Sequence, residues 1–202
     1  MDPATDPATA SPALESLNLF PLHEVLVPGA ALGLRVFEAR YLDLVRECGR
    51  SGSGFGVCLI LAGSESGAPA TSAAFGTEAV IEDFGSDATG VLTLQVRGHR
   101  RFRVQHVRVR DNGRQVAEVS WCEADPVQPL RPEHGLLAVL LQSLLDRFGG
   151  EHAMAPSALL DDASWVSWRL AELLPLDDAQ RLRLLQIDDP NTRLDQVLAL
   201  LP

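Results

Sequence analysis

The chain contains no lysine, and all 17 of its basic residues are arginine. A P-loop needs a lysine to reach the nucleotide phosphates, and a Ser–Lys dyad needs one as its base. Pyridoxal phosphate enzymes hold their cofactor through a lysine Schiff base. The sequence therefore excludes these three kinds of site, and it predicts a protein that uses no cofactor.

Cysteine is also scarce, and its spacing excludes two further kinds of structure. Cys48, Cys58 and Cys122 are odd in number and form no CxxC pair, so we expect neither a disulfide framework nor a zinc site. None of the five histidines lies at metal-binding spacing, and adjacent carboxylates along the chain point in different directions. We therefore predict no metal site, no catalytic residues and no enzymatic activity.

Long apolar runs are missing as well, and none approaches the roughly 20 residues that a membrane span requires. Residues 1–16 lack the basic and apolar regions of a secretory signal and are rich in Pro, Ala, Thr and Ser. That composition predicts a disordered leader. We expect a cytoplasmic protein without membrane contact, and the sequence leaves its oligomeric state open.

The net charge of −10 disfavours a general nucleic-acid binder, but the charge is unevenly distributed. Residues 97–114 carry a local charge of +6, because they contain a single acid and seven arginines. These seven form what we call the arginine stripe: Arg97, Arg100, Arg101, Arg103, Arg108, Arg110 and Arg114.

Arg101 and Arg103 are the candidate binding residues of the arginine stripe. Strand parity places them together on the face opposite Phe102 and Val104. Guanidinium groups suit carboxylate or phosphate oxygens, so the stripe fits an acidic protein or peptide partner, or RNA. The alternative is that these arginines only balance the acids of the rest of the domain.

Residues 17–125 show short apolar runs that are typical of strands, with one helix among them. The apolar parity changes within the sixth predicted strand, which indicates a bulge near His106. Asn112-Gly113 predicts a hairpin turn. Strands at this density favour a small, strongly curved sheet or barrel. The predicted strands are 17–22, 31–36, 55–61, 75–84, 91–97, 101–110 and 115–123, and the helix is 38–48, stopped by Gly49.

After a proline-rich linker at residues 126–132 the apolar periodicity becomes helical, which predicts a helical bundle over residues 126–202. Asp177 or Asp178 is expected to cap the third of its helices, and Asn191 or Thr192 the last. The predicted helices are 133–148, 162–174, 177–186 and 191–200.

Other residues receive a structural interpretation in preference to a functional one. Glu38 is expected to begin the first helix, and Arg40 to tie that helix to the barrel. His23 fits an exposed turn. Trp165 and Trp168 are three residues apart on one helix face, which favours an anchor in the core or between the two parts of the chain.

Three separated blocks of the sequence carry a resemblance to a known family. They are LNLFPLHEVLVPGAALGLRVFEARYLDLVREC from residue 17, GTEAVIEDF…GVLTLQVRGHRRFRV from residue 76, and WVSWRLAELLPLDDAQRLRLLQIDDPNTRLDQVLALL from residue 165. In this order they resemble the N-terminal, substrate-binding domain of Lon-type proteases. The resemblance covers roughly residues 17–202. It implies an α+β fold, in which a PUA-like curved β-barrel or sheet (17–125) precedes a C-terminal α-helical bundle (126–202).

The resemblance implies a non-catalytic recognition domain, in a stand-alone form without the ATPase and protease parts of Lon enzymes. Its partner would be polypeptide, either unfolded segments or a partner protein, in a role such as protein quality control. A groove between sheet and bundle would receive the segment, and Arg101 and Arg103 would bias the selection. The alternative function is a PUA-like RNA-binding module that uses the arginine stripe.

Overall fold

The computed structural model describes residues 13–201, so most of the predicted leader lies outside the described residues. Glu15 and Ser16 belong to the first strand, and the predicted leader boundary after residue 16 is therefore too late. The strands are β1 (Glu15–Leu22), β2 (Ala31–Val36), β3 (Phe55–Ala62), β4 (Thr71–Ser86), β5 (Leu92–Val109) and β6 (Gln115–Trp121). The helices are α1 (Ala39–Ser51), α2 (Gly135–Phe148), α3 (Ala163–Leu173), α4 (Asp178–Leu185) and α5 (Pro190–Leu200).

The strands form one curved sheet that closes on itself. Its order is β2-β5-β4-β3-β1-β6, and a further pairing of β5 with β6 completes a ring that leaves only β2 outside. β1 and β3 run parallel, and the remaining pairs are antiparallel. β5 is long enough to serve both ends, because its first half pairs with β2 and its second half with β6. The predicted α+β fold with a curved sheet and C-terminal helices is confirmed.

β5 replaces two predicted strands. The sequence indicated separate strands at 91–97 and 101–110, but the backbone stays extended through Gly98 and makes one strand. Gly98 is required there because a Cβ would collide with the carbonyl oxygen of Val27. The bulge predicted near His106 is confirmed, since the register of β5 on β6 shifts between Val104 and His106.

α1 covers one end of the barrel. The ring of Tyr41 in α1 stacks on that of Phe20 in β1 with centroids 4.0 Å apart, and the side chain of Leu44 in α1 is fully buried. The helix continues through the predicted stop at Gly49 and ends before Gly52, whose φ of 66° is left-handed. The N–H of Gly52 donates to the carbonyl of Cys48 at 2.8 Å, which closes the last turn.

The C-terminal helices share one apolar core with the barrel. A continuous cluster of buried side chains includes Val27 and Leu94 of the barrel part together with Leu141, Leu170 and Leu194 of the helices. Within residues 13–201, no helix is both long and apolar enough to cross a bilayer.

The helix caps follow the sequence in part. Asp177 caps α4 in a capping box with Gln180, as one of the two predicted choices. The predicted cap of α5 at Asn191 or Thr192 is wrong, because the helix starts at Pro190 and its cap is Asp189. Asn191 is buried and bonds instead to Gln128, so it is committed to a contact with the linker.

Candidate functional site

Arg101 lies inside the protein and not on its surface. Its side chain is 3% exposed. The guanidinium donates to the carbonyl oxygens of Leu185 at 3.0 Å and Ile187 at 3.2 Å, and to the carboxylate of Asp125 at 3.2 Å. The prediction that Arg101 belongs to an exposed binding surface is therefore wrong. The chain after α4 covers this end of β5, so an outward strand position has become an internal one.

The carboxylate of Asp125 is the centre of a cluster of hydrogen bonds and ion pairs at the joint between barrel and helices. Its carboxylate accepts from the fully buried Arg193 at 2.7 Å, from the indole N–H of Trp168 at 2.8 Å and from the hydroxyl of Ser164 at 2.7 Å. Burial alone raises the pKa of Asp125, but the hydrogen bonds and charge of Arg193, with help from Ser164 and Arg101, outweigh it and hold the pKa below its ordinary value. Trp168 is thus the anchor between the two parts that its spacing indicated.

Most of the remaining arginine stripe is neutralised by nearby acids. Arg97 binds Glu82 and Glu151, and its hydrogen bonds to them raise its pKa further. Arg100 binds Glu78 at 2.9 Å and lies over the ring of Trp121. Two further pairs complete the set: Arg108 with Glu118, and the buried Arg114 with Glu47. The stripe is therefore not a continuous positive surface.

Arg103 is the predicted site residue that does face solvent. It forms no salt bridge within the described part of the chain, and its guanidinium lies 5.7 Å from the ring centroid of Phe75. Together with Cys122 and Asp188 it lines a cleft of about 420 Å³ between the barrel and the turn before α5. Arg101 and Arg103 thus lie on the same face of β5, but Arg101 is buried and Arg103 is exposed.

The Phe-Glu-Ala-Arg-Tyr segment at residues 37–41 has a structural role, as its sequence indicates. Arg40 is buried and donates to the carbonyl oxygens of Gly113 and Glu65, both at 3.2 Å, and its guanidinium pairs with Glu38 at 3.0 Å. Glu38 is the residue that precedes the first turn of α1. His23 is exposed, as predicted.

An apolar cleft that the sequence did not indicate lies beside the last turns of α1. We call it the α1 cleft: it has a volume of about 410 Å³, and Val45 and the outer ends of β4 and β5 line it. Phe84 and Val80 stand on its rim with 71% and 39% of their surface exposed, while Leu94 is buried at its base. Contiguous apolar surface that stays open to water is one mark of an interaction site.

A comparison with protein families identifies the chain. A family model described as the ATP-dependent protease La (LON) substrate-binding domain matches residues 16–202. The chain belongs to this family. The Lon resemblance drawn from the three sequence blocks is thereby confirmed.

Solved structures agree with this Lon assignment. A crystal structure of a Lon N-terminal domain protein from Xanthomonas campestris is 61% identical, with a TM-score of 0.81, and the match covers 93% of this chain and 99% of that one. The N-terminal domain of a Mycobacterium avium complex Lon protease shares the fold with a TM-score of 0.66 at 20% identity, over 93% of this chain and 100% of that one. A comparison with curated proteins finds no match.

The cysteine thiols of this Lon-type domain are weakly acidic. Burial raises the pKa of Cys48 and Cys122, and that of Cys58 to about 12, so these thiols stay protonated at neutral pH. Across residues 13–201, His, Cys, Asp and Glu form no group of three or more that could hold a metal ion. Substrate binding is the role that the description of the family domain gives.

Proposed function

We propose that this Lon-type domain binds polypeptide non-covalently, and that the α1 cleft receives apolar side chains of an unfolded segment or of a partner protein. The proposed setting is protein quality control in the cytoplasm. The observation that carries the proposal is the open α1 cleft, with Phe84 and Val80 exposed on its rim. Covering these two side chains removes apolar surface from water, at roughly 25 cal/mol per Å² before the costs of association.

Arg103 supports selectivity in this proposal and not affinity. Arg103 is solvent-exposed and lines the cleft between the barrel and the turn before α5, together with the exposed acid Asp188. A solvated charge of this kind steers encounter and rejects like-charged segments, with little net gain in binding free energy. Arg101 has no part in selection, because Asp125 and two carbonyl groups already use its donors.

The pairing of the arginine stripe favours polypeptide over RNA as the ligand. Five of its seven members form ion pairs with acids within the domain. Nucleic-acid affinity grows with the number of phosphates that free cations neutralise. The unpaired members within the described residues, Arg103 and Arg110, supply too little charge to hold a nucleic-acid backbone.

Fluorescence anisotropy tests the proposal directly. The probes are a labelled, permanently unfolded carboxymethylated lactalbumin and a labelled structured RNA, each at about 50 and about 300 mM salt. We expect lactalbumin binding that survives the higher salt and that weakens about tenfold in Phe84→Ser. Val109→Ser is the matched control, since Val109 is apolar and exposed but lies outside the α1 cleft.

Two results would contradict the proposal. One is equal binding by Phe84→Ser and Val109→Ser, which would remove the α1 cleft from recognition. The other is RNA binding that disappears at the higher salt and in Arg103→Glu, which would establish the RNA-binding alternative.

A further inference from the structure

β2 is the strand that the closed barrel leaves with a free edge. It pairs with β5 along Ala31–Val36 and has no second neighbour in the sheet. Outside this ladder, no backbone N–H or C=O of residues 31–36 forms a hydrogen bond with any other group in residues 13–201. Half of the hydrogen-bonding groups of β2 are therefore directed away from β5 and are available to a ligand.

The phase of the ladder identifies these groups. The N–H of Gly98 donates to the carbonyl of Ala30 just before β2, and this bond sets the phase of the ladder, although the N–H of Ala30 itself bonds to Val27. Bonded and non-bonded pairs alternate along an antiparallel ladder. Ala31, Gly33 and Arg35 thus direct their N–H and C=O groups outward. Gly33 adds no side chain to obstruct a partner in the middle of the strand.

The free edge opens on a cleft and is not covered. This edge cleft has a volume of about 360 Å³ and is lined by consecutive residues of β2 together with the end of β1, the first turn of α1 and the loop at Glu65. No residue of β5 lines it, which places it on the outer side of β2. Its floor is apolar, and the buried members are Phe20, Leu22, Leu34, Val36 and Tyr41.

The rim of the edge cleft is acidic. Glu24, Glu38 and Glu65 border it, against the single cation Arg35, which already binds Asp87 at 2.6 Å. Glu38 is paired with Arg40. Glu24 and Glu65 form no salt bridge within residues 13–201, and the carboxylate of Glu65 accepts only the backbone N–H of His23. The cleft is therefore complementary to a segment with positive charge.

We propose that the free edge of β2 binds an extended polypeptide segment as an additional strand, and that the segment alternates apolar residues with arginine or lysine. The outward groups of Ala31, Gly33 and Arg35 hold its backbone. Its apolar side chains lie on the floor of the edge cleft, and its cations meet Glu24 and Glu65. This inference rests on the proposed function, because it names the conformation and composition of the polypeptide that the domain takes.

Amide hydrogen exchange, followed by NMR on the whole chain, tests the proposal. The probe is a capped peptide of about eight residues that alternates valine and arginine, and the control is the matching valine–glutamate peptide. At saturation with the first peptide, we expect exchange at Ala31, Gly33 and Arg35 to slow by about tenfold or more. Leu32 and Leu34 are internal references, because their N–H groups already bond to β5.

A charge variant provides the second readout. In Glu24→Gln/Glu65→Gln we expect the Kd of the valine–arginine peptide to rise by about three- to tenfold, while binding of unfolded lactalbumin at the α1 cleft keeps its dependence on Phe84. Peptide binding without slower exchange at residues 31, 33 and 35 would overturn the strand-addition proposal and leave the proposed function intact. Failure of both the peptide and lactalbumin to bind would overturn the two together.

Discussion

Five hydrogen bonds converge on the carboxylate of Asp125 from four side chains, which belong to β5, α3 and α5. Asp125→Asn keeps the size of this residue but leaves the buried guanidinium of Arg193 without its counter-charge. Removing one partner of a buried ion pair costs about 3–5 kcal/mol. We expect a loss of that size in the free energy of unfolding, measured by urea denaturation at neutral pH.

Asp188→Asn is the control for Asp125. The carboxylate of Asp188 also lies 3.0 Å from Arg101, but its side chain is 83% exposed and solvent screens the pair. Its loss should cost less than about 1 kcal/mol. Equal costs for the two substitutions would show that burial at Asp125 does not matter.

The pKa of Asp125 adds a dependence on pH to the same prediction. Because the folded state lowers this pKa, the carboxylate contributes its full stability above the ordinary value of 3.8 and loses it as the pH falls through the lowered value. The difference in stability between the wild type and Asp125→Asn should therefore shrink below about pH 4. A difference that stays constant down to pH 2 would contradict the role of the ionised form.

At the scale of the elements, the barrel depends on tight packing of β3 and β5 around Gly76 of β4. A Cβ on Gly76 would collide with the carbonyl oxygen of Val57 and would lie 2.6 Å from Phe102 and 2.7 Å from the sulfur of Cys58. We expect Gly76→Ala to lower the free energy of unfolding by about 1–3 kcal/mol or more, since backbone must move to admit the methyl group.

Gly49→Ala is the matched substitution in open space. Gly49 lies within α1, and a Cβ there meets no atom within 4 Å. Alanine in a helix is favoured over glycine by about 0.5–1 kcal/mol, so this variant should be more stable than the wild type. Thermal and urea unfolding of both variants would measure the two changes in stability. A stabilised Gly76→Ala would refute the tight packing around Gly76.

The same scale shows how far local pattern determines these elements. Short apolar runs correctly indicated the positions of β1, β2 and β3, and the change of parity correctly placed the bulge near His106. The pattern divided β5 in two because His99 and Arg100 follow Gly98, and a polar stretch after glycine is typical of a turn. The contact of Gly98 with Val27 keeps the strand extended, and sequence spacing does not report a contact of that range.

The candidate sites depend still more on long-range packing. Parity predicted correctly that Arg101 and Arg103 share a strand face, but the chain after α4 covers one and not the other. The exposure of Phe84 could not be predicted from the sequence either. Phe84 of β4 pairs with Leu94 of β5, which is buried, and an apolar pattern alone does not distinguish the two environments. A free edge such as that of β2 follows from strand order, which the sequence did not specify.

At the scale of the whole molecule, the barrel part up to residue 125 and the helical part from residue 126 differ in architecture, but we propose that they fold as one cooperative unit. Contacts of opposite ends of the chain span it: Arg169 donates to the carbonyl of Pro28 at 2.6 Å, and Glu151 binds Arg97. Asp125 joins β5 to α5, and the apolar core continues from Val27 into the helices. Each part would expose buried charge and apolar surface if it stood alone.

One cooperative transition is therefore expected in urea. Trp168 lies at the joint and reports its opening by fluorescence once Trp121 and Trp165 are replaced by phenylalanine, while the signal at 222 nm in circular dichroism reports the loss of the helices. The two curves should coincide in this background, because separation of the parts and loss of the helices are one event. In Asp125→Asn both midpoints should fall together. If fluorescence changes at lower urea than the helical signal, the joint opens first and the two parts fold independently.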